Sequence, residues 1–133
     1  MSRAKGRRTL NKIIDYYTEQ GYIVDETELG GKYRKFRDLF AGYCTSCWKR
    51  EEDCCDDPER FEGFDLIAVK STITELIQAK TNTPSRQKNY KRFASSFASS
   101  NLVITVATWY DREGLRIQRY QPDGTIEETD LRK

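Results

Sequence analysis

GFDLIAVKSTITELIQAK, running from Gly63 to Lys80, decides how this chain reads. Phe64-Asp65-Leu66-Ile67-Ala68-Val69 is a nearly continuous apolar run with one acid inside it. Lys70-Ser71 reads as a tight turn and Thr72 to Ala79 as a second strand, so the stretch predicts a β-hairpin. Asp65 stands where an unpaired charge is costly to bury. Thirteen positions on, Gln78-Ala79-Lys80 closes the apolar pair Leu76-Ile77. Alternation along a strand places Gln78 and Lys80 on one face, and a hairpin brings Asp65 beside them. The Asp65 carboxylate, the Gln78 amide oxygen and the Ala79 carbonyl are hard oxygen donors of the kind Mg²⁺ or Mn²⁺ takes, with water completing the octahedron. Lys80 then stands ready to hold or deprotonate an attacking water, or to stabilise negative charge developing on phosphate. On spacing alone a plainer reading stands beside this one: a strand end with two solvated polar residues and an edge aspartate.

Outward from the hairpin the pattern is regular. Leu10, Ile13, Ile14 and Tyr17 fall at i, i+3, i+4 and i+7, which predicts an amphipathic helix stopped by Gly21. Tyr22 to Val24 reads as a first strand, and Lys32 to Phe40 as another after the Gly30-Gly31 turn. Beyond the hairpin, Pro84-Ser85 opens a second helix through Tyr90 and Phe93 toward Phe97. Leu102 to Trp109 is the most apolar strand, expected at the centre of the sheet. The turns Asp111–Gly114 and Pro122–Gly124 lead into strands at Leu115 to Tyr120 and around Ile126. The expected class is α/β, one mixed sheet flanked by helices, in a single domain of 133 residues.

The stretch 63–80 resembles the core motif of the PD-(D/E)XK nuclease superfamily, nearest to archaeal Holliday-junction resolvases, Mrr-type restriction endonucleases and small viral relatives. The resemblance is close over residues 63–80 and looser over most of the chain. It implies a restriction-endonuclease-like αβββαβ core and a Mg²⁺-dependent DNA endonuclease, with Asp65 and Gln78 as metal ligands and Lys80 as the catalytic lysine. Gln78 in place of the more usual Glu is similar to the Mrr-type variant and removes one negative charge. Such families place a Glu on the first helix, about four residues after a Lys-Gly like Lys5-Gly6; here Leu10 and Asn11 stand there. Asp15, Glu19, Glu26 and Asp38 are the acids available to replace it. Gln87 and Tyr90 resemble a Gln and a Tyr that touch the site or the substrate backbone in such enzymes. Resolvase-like members cut two symmetric strands, which implies a homodimer.

Charge and cysteine distribution add two expectations. The net charge is only +2, so placement matters more than total. Arg3, Lys5, Arg7 and Arg8 cluster at the N-terminus, and Arg86, Lys88, Lys91 and Arg92 around the second helix, without acids between them. Both clusters read either as solvated faces or as phosphate contacts, which position DNA without reading its sequence. Cys44, Cys47, Cys54 and Cys55 form C-x2-C-x6-C-C within residues 41–62, an insert in the fold. Four thiolates suit tetrahedral Zn²⁺; disulfides and an iron–sulfur cluster are the other readings. A metal there would knot a loop too short for its own core, and Trp48, Lys49 and Arg50 on such a knuckle also suit nucleic acid. The absence of histidine excludes Ser-His and Cys-His catalysis and histidine-ligated metals. No stretch approaches a membrane span and no apolar segment follows the basic N-terminus, which predicts a soluble cytoplasmic protein. Two rival functions remain at this level: a nucleic-acid-binding module that does no chemistry, and a protein-interaction factor of a virus or mobile element.

Overall fold

The computed structural model describes residues 3–26, 43–44, 49, 61, 63–83 and 87–133. The first helix, α1 (Arg3–Glu19), buries Ile13 and Tyr17 on one stripe, with Leu10 and Ile14 half-buried beside them. It ends as the glycine foretells. Gly21 takes φ 92°, its N–H donates to Thr18 O at 3.0 Å, and Tyr22 N–H reaches Tyr17 O at 3.0 Å. That pair of bonds is a Schellman stop, in which the left-handed residue costs glycine little.

Six strands make one sheet among the described residues, ordered as in the chain: β1 (Ile23–Glu26), β2 (Leu66–Lys70), β3 (Ile73–Thr81), β4 (Leu102–Tyr110), β5 (Gly114–Tyr120) and β6 (Ile126–Asp130). All neighbours are antiparallel except β3 and β4, which run parallel because the second helix, α2 (Gln87–Phe97), crosses between them. The fold is therefore α/β with a mixed sheet, as expected. Leu102 to Trp109 lies inside β4, a middle strand, again as expected. The hairpin turn sits one residue later than the sequence suggested. Lys70 still pairs with Ile73, and the loop is Ser71-Thr72, with Ser71 at φ 57°. Lys70 stays in the strand because its Nζ is held by Gln20 O at 2.7 Å. The strand expected over 32–40 and the acid Asp38 lie outside the described residues.

Two apolar layers sandwich the sheet. Leu76, Ile104, Val106 and Tyr120 pack with Tyr90, Phe93 and Ala94 of α2, joined by Phe61 and Phe64. Ile77, Ala107, Leu115 and Ile117 pack with Ile13 and Tyr17 of α1. Neighbouring strand residues such as Leu76 and Ile77 point to opposite faces, so the two helices cover opposite sides of the sheet. Beside α2 the rings of Phe61, Phe64, Tyr90 and Phe93 interlock, with centroids from 4.8 to 5.8 Å apart. These rings grip the chain just before Asp65, which fixes where that carboxylate emerges.

Candidate active site

Register places the motif residues together. Leu66 faces Ile77 across the β2–β3 ladder, so Asp65 comes opposite Gln78, and Asp65 N–H donates to Ile77 O at 2.8 Å. The Asp65 carboxylate turns back onto the ladder: its Oδ2 accepts from Ala79 N–H at 2.9 Å. Gln78, 8% exposed, sets its amide against the same group. With Nε2 turned inward it donates to Asp65 Oδ2 at 3.0 Å and to Gly63 O at 2.9 Å. The Gly63 carbonyl also accepts from Tyr90 Oη–H at 2.9 Å, so α2 is tied to the lead-in of the motif. Gly63 itself has φ 92°, a conformation that favours glycine. Lys80 follows Gln78 by two residues on the same face, half-buried, with Thr108 of β4 as its register partner. Asp65, Gln78, Ala79 and Lys80 are thus brought together by one hairpin and its parallel neighbour.

The donors there are a carboxylate, an amide and main-chain carbonyls, all hard oxygens that fit Mg²⁺ or Mn²⁺ and do not favour softer ions. Their formal charge is only −1. Among the described residues the other acid candidates do not raise it. Asp15 and Glu19 are exposed on α1, which packs on the other face of the sheet. Glu26 is engaged by Arg7 at 2.8 Å. Among the described residues no three cysteine, aspartate or glutamate side chains gather as a metal site.

The basic residues distribute over the surface. Arg7 and Arg8 are exposed on α1; Gln87, Lys88 and Lys91 are exposed on α2, and Arg92 is half-buried. Tyr90 differs from them. It is fully buried with its hydroxyl on Gly63 O, so it supports the site from behind instead of offering a DNA contact. The i, i+3 spacing of Tyr90 and Phe93 turns both rings toward the sheet. Cys44 is 2% exposed, and its N–H donates to Lys49 O at 3.0 Å. Cys47, Cys54, Cys55 and Arg86 lie outside the described residues.

A second polar centre escaped the sequence reading. Glu75, 1% exposed, lies on the α1 face of β3. Its Oε1 accepts from Tyr17 Oη–H at 2.6 Å, Thr105 Oγ1–H at 2.6 Å and Arg119 Nε–H at 3.2 Å. Burial, and then the carboxylate, push the Tyr17 hydroxyl well above its usual value, and Tyr22 rises for the same two reasons. Burial acts to lower Arg119, yet Glu75 together with Tyr17, Tyr22 and Tyr16 outweighs it and the guanidinium ends above its usual value. Among the described residues, three buried polar atoms on the other face have no hydrogen-bond partner: Thr108 Oγ1, Gln118 Oε1 and Tyr120 Oη. Strand alternation could have flagged Glu75, which falls three residues before Gln78 and so on the opposite face. Nothing local announces that Tyr17 and Arg119 will meet it.

Among the described residues no helix is long and apolar enough to cross a membrane. No protein-family model matches this chain, and no curated protein sequence matches it either.

Proposed function

We propose that this chain is a metal-dependent DNA endonuclease with a restriction-endonuclease-like core. One observation carries the reading: Asp65 and Gln78 meet across a hairpin, and Lys80 stands two residues further along the same face of its second strand, which leads through a crossover helix into a parallel neighbour. The element order helix, three antiparallel strands, helix, parallel strand supports the same resemblance. Asp65 and Gln78 would hold Mg²⁺ or Mn²⁺, with the Ala79 carbonyl as a further donor. The ion, when bound, lowers the pKa of water and neutralises phosphate charge. The protein's own part is positional and electrostatic. Ala79 N–H orients the Asp65 carboxylate, and Lys80 brings a positive charge to where a phosphate would gain negative charge. Lys88, Lys91 and Arg92 of α2, with Arg7 and Arg8 of α1, suit phosphate contacts that position DNA, and two copies acting as a homodimer would serve two strands. The cysteine insert is proposed to hold Zn²⁺, a role for Cys44 together with Cys47, Cys54 and Cys55.

A second reading has its own observation. With Nε2 inward, the Gln78 amide satisfies Asp65 and Gly63 without any cation, and no three acids or cysteines gather as a metal site among the described residues. A DNA-binding module that does no chemistry would look the same. Labelled duplex, single-stranded and four-way-junction DNA, incubated with Mg²⁺, Mn²⁺ or EDTA, separates the two. The nuclease reading expects cleavage that needs metal and disappears in Asp65→Ala and Lys80→Ala. Salt-sensitive binding with no cut product on any substrate selects the module.

A further inference from the structure

On the α2 face of the sheet, strand register sets a row of side chains beyond the hairpin. Lys80 of β3 pairs with Thr108 of β4, and Thr108 pairs with Arg116 of β5. One rung inward stand Gln78, Val106, Gln118 and, on β6, Glu128. Alternate residues of a strand share a face, so both rows point to the same side. The polar surface that begins at Asp65 and Gln78 therefore does not stop at Lys80. It continues across β4 and β5.

Two members of that surface are out of place as core residues. Thr108 is 1% and Gln118 2% exposed, yet Thr108 Oγ1 and Gln118 Oε1 have no hydrogen-bond partner among the described residues. A buried polar atom without a partner costs stability that an apolar side chain of the same shape would not. Val106, fully buried two residues before Thr108 on the same face, shows that an aliphatic residue fits this layer. Polar groups kept at such positions against the interest of the fold mark a binding role. Arg116 adds a charge beside them. Its Nε is paired with Glu128, and the two side chains are 23% and 39% exposed, so the pair meets solvent and can exchange partners.

We propose that Lys80, Thr108 and Arg116 form a phosphate subsite for the DNA strand that leaves the Asp65–Gln78 centre. The inference rests on the nucleic-acid reading above and extends its substrate contacts onto β5. Neighbouring strands lie about 4.8 Å apart, so the Lys80 and Arg116 backbones stand roughly 10 Å apart with Thr108 midway. Two long cationic side chains at that spacing bracket phosphates of one strand, and the Thr108 hydroxyl between them donates to a phosphate oxygen. The stems of Lys80 and Arg116, both half-buried, flank that hydroxyl and part as their charged ends turn to the strand. Glu128 is an internal competitor. Its carboxylate holds Arg116 until phosphate, which suits the guanidinium fork equally well, replaces it.

Binding is measured apart from cutting. A fluorescein-labelled DNA duplex is titrated by anisotropy in EDTA, at several salt concentrations, with wild type, Arg116→Gln, Thr108→Val and Glu128→Gln, and each variant is melted alongside. Arg116→Gln should weaken binding at least about fivefold and reduce the slope of log K against log salt by about 0.9, the share of one phosphate contact. Thr108→Val should weaken it about three- to tenfold while melting no lower than wild type. Glu128→Gln should bind about two- to fivefold tighter, because Arg116 is released from its partner, and misfolding cannot produce that gain. Arg116→Gln with the wild-type slope, Thr108→Val with wild-type affinity, or Glu128→Gln that binds no tighter overturns the subsite. A wild type that binds no duplex at any salt overturns the nucleic-acid reading and the subsite with it. A chain that meets these expectations yet cuts nothing with Mg²⁺ keeps the subsite and loses only the nuclease reading.

Discussion

Replacing Glu75 by alanine is the sharpest perturbation of stability that the fold offers. The side chain is 1% exposed, and one of its oxygens gathers two hydroxyl donors at 2.6 Å and the Arg119 Nε at 3.2 Å. Alanine strands all three donors between α1 and the sheet. Removing one partner of a buried ion pair costs about 3–5 kcal/mol, because the other charge stays desolvated. The Arg119 side chain is 18% exposed, so it can recover part of its hydration, which puts the loss near the lower end, about 3 kcal/mol. Set against a typical total of about 5–15 kcal/mol, that is a large fraction. For a domain of this size it corresponds to a fall in Tm of roughly 10 °C. Urea unfolding followed by far-UV circular dichroism reads it as a shift in midpoint at unchanged slope. Tyr17→Phe, which removes one hydroxyl and leaves the pair, should lose only about 1 kcal/mol. Glu75→Met with Arg119→Met should recover most of the alanine loss, because no charge is then left buried. An alanine loss below about 1 kcal/mol, or a double variant no better than Glu75→Ala, would refute the assignment of this cluster as the pin between helix and sheet.

Other expectations are independent of that one. Thr108→Val should leave stability unchanged or raise it by up to about 1 kcal/mol, since the buried hydroxyl has no hydrogen-bond partner; a clear loss in thermal melts contradicts this. Ser71→Gly should stabilise by about 0.5 kcal/mol by relieving φ 57° in the hairpin turn; thermal melts that coincide with wild type or fall below it contradict this. Burial raises Tyr120 to about 12, so its folded value lies above its unfolded value near 10; stability is intact below pH 10 and falls as pH rises toward 12, by about 2 kcal/mol, as urea melts across that range would record. If the cysteine insert holds Zn²⁺, the purified protein carries one equivalent by atomic absorption, and its thiols react fully with a thiol reagent only after chelation. Absence of zinc with two disulfides by mass spectrometry turns that expectation to the oxidised alternative.

The candidate site was legible because its parts are local. Asp65 and Gln78-Ala79-Lys80 belong to one hairpin, and both the period of two and the short turn can be read directly from residues 63–80. The helix over Leu10 to Tyr17 and its glycine stop, the crossover helix through Tyr90 and Phe93, and the central place of Leu102 to Trp109 are likewise consequences of periodicity and punctuation. Even there the turn slipped by one residue, because Lys70 is kept in its strand by a carbonyl fifty residues away, Gln20 O.

What tertiary structure alone decided are the contacts between segments far apart in the chain. Glu75 looks like one more polar residue in a strand until Tyr17, Thr105 and Arg119 arrive from three other elements. Tyr90 reads as touching either the site or the substrate backbone until the crossover sets its hydroxyl on Gly63 O. The orientation of Gln78 depends on the Gly63 carbonyl, which sits between Phe61 at the end of the insert and Phe64 just after it, with the rings of α2 packed on both. The physical reason is the same in each case. A strand's period states which face a side chain takes, whereas the partner waiting on that face is chosen by how helices and strands pack, and that choice is encoded in no single stretch of sequence.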